Sequence, residues 1–209
     1  MSTSPETAPK RGSRLPRLAR RAQLLEAAQE VFVANGYHAA AMDDIADRAG
    51  VSKPVLYQHF PGKLELYLAL LDTSCEAIVA SVQDALKSTE DNKLRVAATM
   101  HAFYDYVANA QGAFRLVFES DLTNEPAVRE RVDRVTQDCA EAVSEVISAD
   151  AGLNREQSMV LAVSLVGMAQ VSARYWLAAG NPSVPQEQAA DLVASLAWRG
   201  IRGFPRTEG

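Results

Sequence analysis

The chain predicts an all-α protein, a small three-helix helix-turn-helix head on a larger helical body with about nine helices in all. Three observations carry this prediction. Apolar residues recur at three- and four-residue spacing along most of the 209 residues, and no alternating stretch competes with that pattern. The interruptions fall where helices stop: Gly36, Gly50, Gln111-Gly112, Asn124, Gly152 and Gly180-Asn181-Pro182. Charge also divides along the chain. Residues 1–64 hold nine Lys/Arg against six Asp/Glu, and residues 65–209 hold twelve against twenty, within a net charge of −5. Such a protein repels nucleic acid as a whole, so any contact with it must be local.

Taken in order, residues 1–15 form a basic arm expected to be disordered, rich in Ser, Thr and Pro at its start. Lys10, Arg11, Arg14, Arg17, Arg20 and Arg21 follow one another with no acid among residues 10–21. A first helix is expected over about Leu18–Asn35, with Leu24, Leu25, Ala28, Val31 and Phe32 on one face. Gly36 closes it, and Tyr37 should fold back on Phe32.

The stretch MDDIADRAGVSKPVLYQHFPGK, Met42–Lys63, reads as two short helices joined by a tight turn, with another helix starting directly after. Asp43 and Asp44 suit the positive end of the first helix. Ile45 and Ala49 share its inner face, Gly50 ends it and Val51 turns inward. Ser52 or Lys53 caps the second helix, with Ser52 offering its hydroxyl oxygen to free N–H groups, and Pro54 sits in the first turn. Leu56 and Phe60, four apart, should pack inward. Lys53, Pro54, Val55, Tyr57, Gln58 and His59 are then left outside.

A solvated helix rarely exposes a valine, a tyrosine and a proline together, whereas a helix lying in a DNA major groove has uses for them. Val55 can meet a thymine methyl, Tyr57 can donate to a phosphate and Gln58 can read an adenine edge. Lys53 and Lys63 stand at helix N-termini, where a cation opposes the helix dipole but a phosphate is welcome. Either lysine alone reads equally well as plain surface. Arg14 and Arg17 would extend the contact along the DNA backbone or minor groove, although a merely solubilising tail has the same composition. The candidate DNA-binding set is therefore Arg14, Arg17, Ser52, Lys53, Pro54, Val55, Tyr57, Gln58, His59 and Lys63, within a DNA-binding domain over residues 16–64.

The body, residues 65–209, is expected to continue the helix begun near Lys63 and to add helices at about Leu94–Ala110, Ala113–Leu122, Pro126–Ser148, Glu156–Ala179 and Gln186–Arg202. Its richness in Phe and Met suggests a pocket for a hydrophobic small molecule, with Leu71, Met100, Phe103, Tyr104, Val107, Phe114, Phe118 and Val166 as candidate lining. Each of these reads at least as well as ordinary core. Arg115 or Arg174 could hold an acidic group, or be solvated. The helix from about Met159 to Leu177 is apolar on most sides and rich in small residues, so it needs cover all round. That favours a homodimer, with Gly167, Ala173, Trp176 and Trp198 at the interface, over a monomer with an internal core helix.

Cys75 and Cys139 lack metal-ligand spacing and read as buried fillers of a reduced protein. With no leader-like apolar segment and no apolar run of membrane-spanning length, a cytoplasmic location without membrane contact is expected. No GxGxxG, P-loop, HExxH or GxSxG occurs, so neither an enzyme nor a resident metal or cofactor is expected.

The segment GYHAAAMDDIADRAGVSKPVLYQHFPGKLELYLALL, with its GY, DIA, AGVS and LYxHF groups and a lysine three residues later, resembles the N-terminal domain of TetR-family transcriptional regulators. The resemblance implies a three-helix DNA-binding head, a ligand-binding body, and a homodimer formed by the last two helices on a palindromic operator in double-stranded DNA. KPVLYQHFPGKLELYLALLD, ESDLTNEPAV and LVGMAQVSARYWL resemble actinobacterial FasR-type regulators of fatty-acid synthesis, which implies a long-chain acyl-CoA effector. The chain departs from the TetR pattern at Ala40 and Ala41, where relatives carry a Thr or Ser that caps the second helix, and at Lys-Pro-Val, which leaves base preference open. A helical acyl-chain-binding protein with a vestigial head is the other reading.

Overall fold

The computed structural model describes residues 16–109, 112–118, 122, 124–178 and 183–201. Among them are nine helices: α1 (Arg17–Ala39), α2 (Met42–Arg48), α3 (Lys53–His59), α4 (Lys63–Lys87), α5 (Asn92–Asn109), α6 (Ala113–Phe118), α7 (Pro126–Ala151), α8 (Arg155–Ala178) and α9 (Gln186–Ile201). The basic arm, including Arg14, lies outside the described residues.

The head forms because α1, α2 and α3 each present one apolar face to a common centre. Leu24, Ala28 and Phe32 from α1, Ile45 from α2 and Leu56 from α3 meet there, with Phe60 and Leu66 closing the cluster. α1 is broken at Gly36, whose φ of 73° turns the chain so that Tyr37 stacks on Phe32 at 5.9 Å between ring centroids. Gly50, at φ 63°, makes the tight turn after α2, a conformation that costs a side-chain-bearing residue free energy. Two polar ties hold α1 to α2: Gln23 donates to the Ala49 carbonyl at 2.8 Å, and Arg48 pairs with Glu30.

Capping departs from expectation. Ser52 is the N-cap of α3, but its hydroxyl makes no capping hydrogen bond; its backbone carbonyl accepts from Val55 and Leu56 instead. α2 starts from Ala41 with no side-chain cap, as two alanines dictate.

α4 leaves the head and becomes the central strut of the body. It packs against α5 and α7 along its length and against α1 and α6 near its start. Arg131 of α7 pairs with Asp72 of α4 at 2.6 Å. α8 lies on α7, and α9 lies on α5. The core is continuous from Leu24 in the head through Tyr67 and Leu71 to Val135 and Ala190 in the body. α8 is 24 residues long and contains an 18-residue window of mean hydropathy 1.3, which by length and composition alone is enough to cross a bilayer. It is tied within the chain by Gln170 to Thr136 of α7 at 3.2 Å and by Ser172 to Tyr104 of α5 at 2.9 Å.

Candidate nucleic-acid interface and body cavity

α3 divides its residues between two environments. Leu56 is fully buried and Phe60 is 2 % exposed, which fixes the rotation of the helix. Lys53, Pro54, Tyr57 and Gln58 are exposed as a result, with Tyr57 at 41 %, while Val55 and His59 are half-buried. Ser52, its hydroxyl not engaged in capping, lies on the same exposed end. α1 delivers its cations to the other end of α3, which extends this surface. Arg21 places its guanidinium 4.4 Å from the centre of the Phe60 ring. The His59 imidazole is held below its ordinary pKa, first by burial and then by Arg17, Arg21 and Arg20. Arg21 thus stands beside the C-terminal end of α3, where a phosphate would relieve the repulsion among these cations.

The two lysines part company. Lys53 is exposed and pairs with Asp43 of α2 at 2.7 Å, and that carboxylate raises its pKa through a hydrogen bond and charge attraction. An exposed ion pair of this kind exchanges readily for another anion. Lys63 corrects the expectation of a phosphate anchor. Its ammonium donates to the carbonyls of Tyr37 at 2.8 Å, Ala40 at 2.9 Å and His38 at 3.3 Å, and sits 4.6 Å from the Tyr37 ring centre. With three N–H donors directed at three carbonyls, the group closes the C-terminus of α1.

In the body, a cavity of about 260 Å³ lies between α4, α5, α7, α8 and α9. Ile78, Val82, Val135, Val143 and Leu165 make its wall, and Phe103 and Phe118 reach it from the head side. Of the candidate lining residues, Met100, Phe103, Phe118 and Val166 face this space. Leu71, Tyr104, Val107 and Phe114 do not; all four are buried core. Leu71 and Phe114 are fully enclosed, and the Tyr104 hydroxyl is spent on Ser172. All eight look alike in sequence because helical periodicity identifies an inward face without distinguishing a packed neighbour from a void.

The four residues expected at the interface stand in different settings within the single chain. Ala173 is completely buried within a single chain, the Trp176 indole N–H donates to the Val184 carbonyl at 2.9 Å, and Trp198 lines the cavity. Gly167 alone of the four has open space beside it, with nothing beyond its own helix backbone and chain neighbours within 4 Å of where a Cβ would stand. The outward apolar positions are others. α8 exposes Val160, Val163, Val171 and Tyr175, with Gly167 midway between Val163 and Val171, and α9 exposes Leu192 and Leu196. Their three- to four-residue spacings make one stripe on each helix.

Arg115 and Arg174 are both exposed and neither lines the cavity. The arginine that does is Arg95, which the sequence-derived set omits. A signal was present: Arg95 lies four residues before Thr99 and eight before Phe103, on the apolar face of its own helix.

Residues 24–70 match the model of bacterial regulatory proteins of the tetR family. Over 198 residues, 95 % of this chain and 90 % of the relative, the sequence is 48 % identical to the HTH-type transcriptional activator FasR of Mycolicibacterium smegmatis. Among solved structures, a TetR-like transcriptional regulator from Rhodococcus sp. RHA1 superimposes with a TM-score of 0.73 at 27 % identity, over 91 % of this chain and 100 % of that one. FadR from Bacillus subtilis, solved in complex with stearoyl-CoA, superimposes at 0.70 and 17 % identity over 84 % and 96 %, a likeness of fold. With α3 exposing Lys53, Tyr57 and Gln58 on the head, and a relative this similar along nearly its whole length, the chain belongs to the tetR family of transcriptional regulators.

Proposed function

We propose that the protein is a homodimeric regulator whose affinity for a palindromic operator is set by a hydrophobic effector in the body cavity. The effector class is a long-chain acyl compound, and the genes controlled belong to lipid metabolism. The single observation that carries this reading is where the cavity ends. Phe118 lines it and also belongs to α6, whose Leu116 carbonyl accepts a 3.1 Å hydrogen bond from the buried Tyr67 hydroxyl beneath the head. A ligand that displaces Phe118 thus acts on the support of the DNA-reading unit. Only a ligand with different affinity for the two head arrangements can shift between them. The relative's name, an activator called FasR, and the stearoyl-CoA held by the Bacillus subtilis fold neighbour support an acyl effector and a positive sign of regulation. A regulator of this kind acts in the compartment that holds the chromosome, the cytoplasm of a bacterium.

The stripes on α8 and α9 supply the dimer face. Contiguous exposed apolar surface of this kind marks an interaction site, and a second copy of the same stripes would bury it as a four-helix bundle. Two heads so joined can address half-sites roughly 34–36 Å apart.

Mobility shift with DNA from the protein's own upstream region is the test. Specific binding that weakens steeply with salt and is altered by long-chain acyl-CoA is expected. Equal affinity for every sequence would favour an acyl-binding protein with a vestigial head. Within the specific complex, Tyr57→Phe should weaken all sequences alike, and Val55→Ala should change the preferred base with a discrimination loss of about 1–3 kcal/mol. Identical behaviour of the two variants would overturn their separate roles.

A further inference from the structure

Among the described residues that line the cavity only two carry charge, Arg95 and Asp150, and they are paired. Arg95 donates from Nη1 to the Asp150 carboxylate at 2.9 Å and to the Asn92 side-chain oxygen, and from Nε to the Thr89 carbonyl at 3.1 Å. The pair stands at the end remote from the head, beside Leu86 in the last turn of α4. Arg95 is largely enclosed, with its side chain 16 % exposed, whereas Asp150 reaches solvent.

This arrangement is poor as a stability device. Arg95 is the fourth residue of α5, at the helix end where a cation is disfavoured, and Asp150 is the penultimate residue of α7, at the end where an anion is disfavoured. Exchanging the two residues would suit both helices better. An arginine against an apolar wall does, however, require an anion, and Asp150 supplies one from the solvent side. The place of that anion can be taken by another whose apolar remainder fills the cavity.

We propose that Arg95 and Asp150 form an exchangeable lock at the cavity mouth. The anionic head of an amphipathic acyl ligand displaces Asp150 from Arg95, while the chain extends along the cavity toward Phe118. Carboxylate and phosphate oxygens both suit the guanidinium fork, so the head is either that of a free fatty acid or the phosphates of its coenzyme A thioester. The inference rests on the effector reading of the cavity.

The test is titration of the full-length protein with palmitate, palmitoyl-CoA and uncharged 1-hexadecanol. Fluorescence of Trp198, which lines the same cavity, provides the readout, in a Trp176→Phe background so that it is the only tryptophan. At least one of the anionic ligands should bind roughly tenfold or more tightly than the alcohol. Whichever of the two is favoured identifies the source of the head. Arg95→Gln should abolish the preference and leave the alcohol unchanged. Asp150→Asn should tighten the anion several-fold, again without effect on the alcohol, because the competitor is gone. Equal binding of all three ligands to the unsubstituted lock would overturn the proposal and leave the effector reading standing. Parallel weakening of all three by both substitutions would also overturn it, by showing a purely structural pair. Failure of every ligand to bind would overturn the effector reading with it.

Discussion

Lys53 and Lys63 open α3 and α4 and look alike in sequence, yet they do different work. Lys53 stands in solvent against Asp43, and Lys63 is surrounded by the carbonyls that end α1. Lys53→Met should therefore leave the melting temperature unchanged and reduce the slope of log affinity against log salt by about 0.9 for each phosphate it no longer neutralises. Lys63→Met should destabilise the fold by about 0.5–1.5 kcal/mol, since part-buried carbonyls lose a charged donor, visible as a lower melting temperature before any DNA is added. The reverse pattern would return Lys63 to the interface. The distinction was not legible in the sequence because the partners of Lys63 lie more than twenty residues earlier and are brought there by the turn at Gly36. By contrast, the outward set Pro54, Tyr57 and Gln58 was legible, because the four-residue spacing of Leu56 and Phe60 leaves one rotation of a short helix.

At the scale of elements, α6 is the shortest helix among the described residues and the one placed between cavity and head. Its first turn meets α1, where a Cβ on Gly112 would come within 2.6 Å of the Val33 side chain, and its end carries Phe118 into the cavity. Tyr67 joins it to an aromatic group under the head, edge-on to Phe32 at 5.1 Å and to Tyr37 at 5.2 Å. Removing the Tyr67 hydroxyl keeps this packing and deletes the buried hydrogen bond to Leu116, worth about 0.5–1.5 kcal/mol. Tyr67→Phe should thus leave ligand affinity of the free protein and specific DNA binding close to normal, but lower the factor by which ligand changes DNA affinity, by up to roughly tenfold. An unchanged factor in mobility shifts with and without ligand would remove α6 from the path. The boundaries of α5, α7 and α9 fall within three residues of those read from glycine, proline and asparagine stops. What periodicity does not supply is the third neighbour of each helix, so Ala173 reads as an interface position although it is completely buried within one chain, and the cavity beside Trp198 goes unseen.

For the whole molecule, the open question is how an acidic chain of net charge −5 holds DNA at all. One head offers a handful of cations, and its binding falls steeply with salt. Two linked heads turn the second encounter into an intramolecular one, which raises avidity by roughly 10²–10⁴ when the spacing fits. In the proposed dimer the stripes of α8 and α9 therefore matter to DNA affinity although they lie on the body, away from the head. Leu196 is 62 % exposed in the single chain, so a charge there costs the isolated fold little, whereas in a paired bundle it would be buried without a partner. Leu196→Glu, or Val171→Glu on the neighbouring helix, should shift the mass seen by light scattering to that of one 22.6 kDa chain, with helix content and melting cooperativity retained. Operator affinity should fall by at least a hundredfold while binding of the same variant to a single half-site equals that of the parent head. A variant that stays dimeric would place the interface elsewhere on the body, and a parent chain that is monomeric at micromolar concentration would remove the geometric basis for a two-half-site operator.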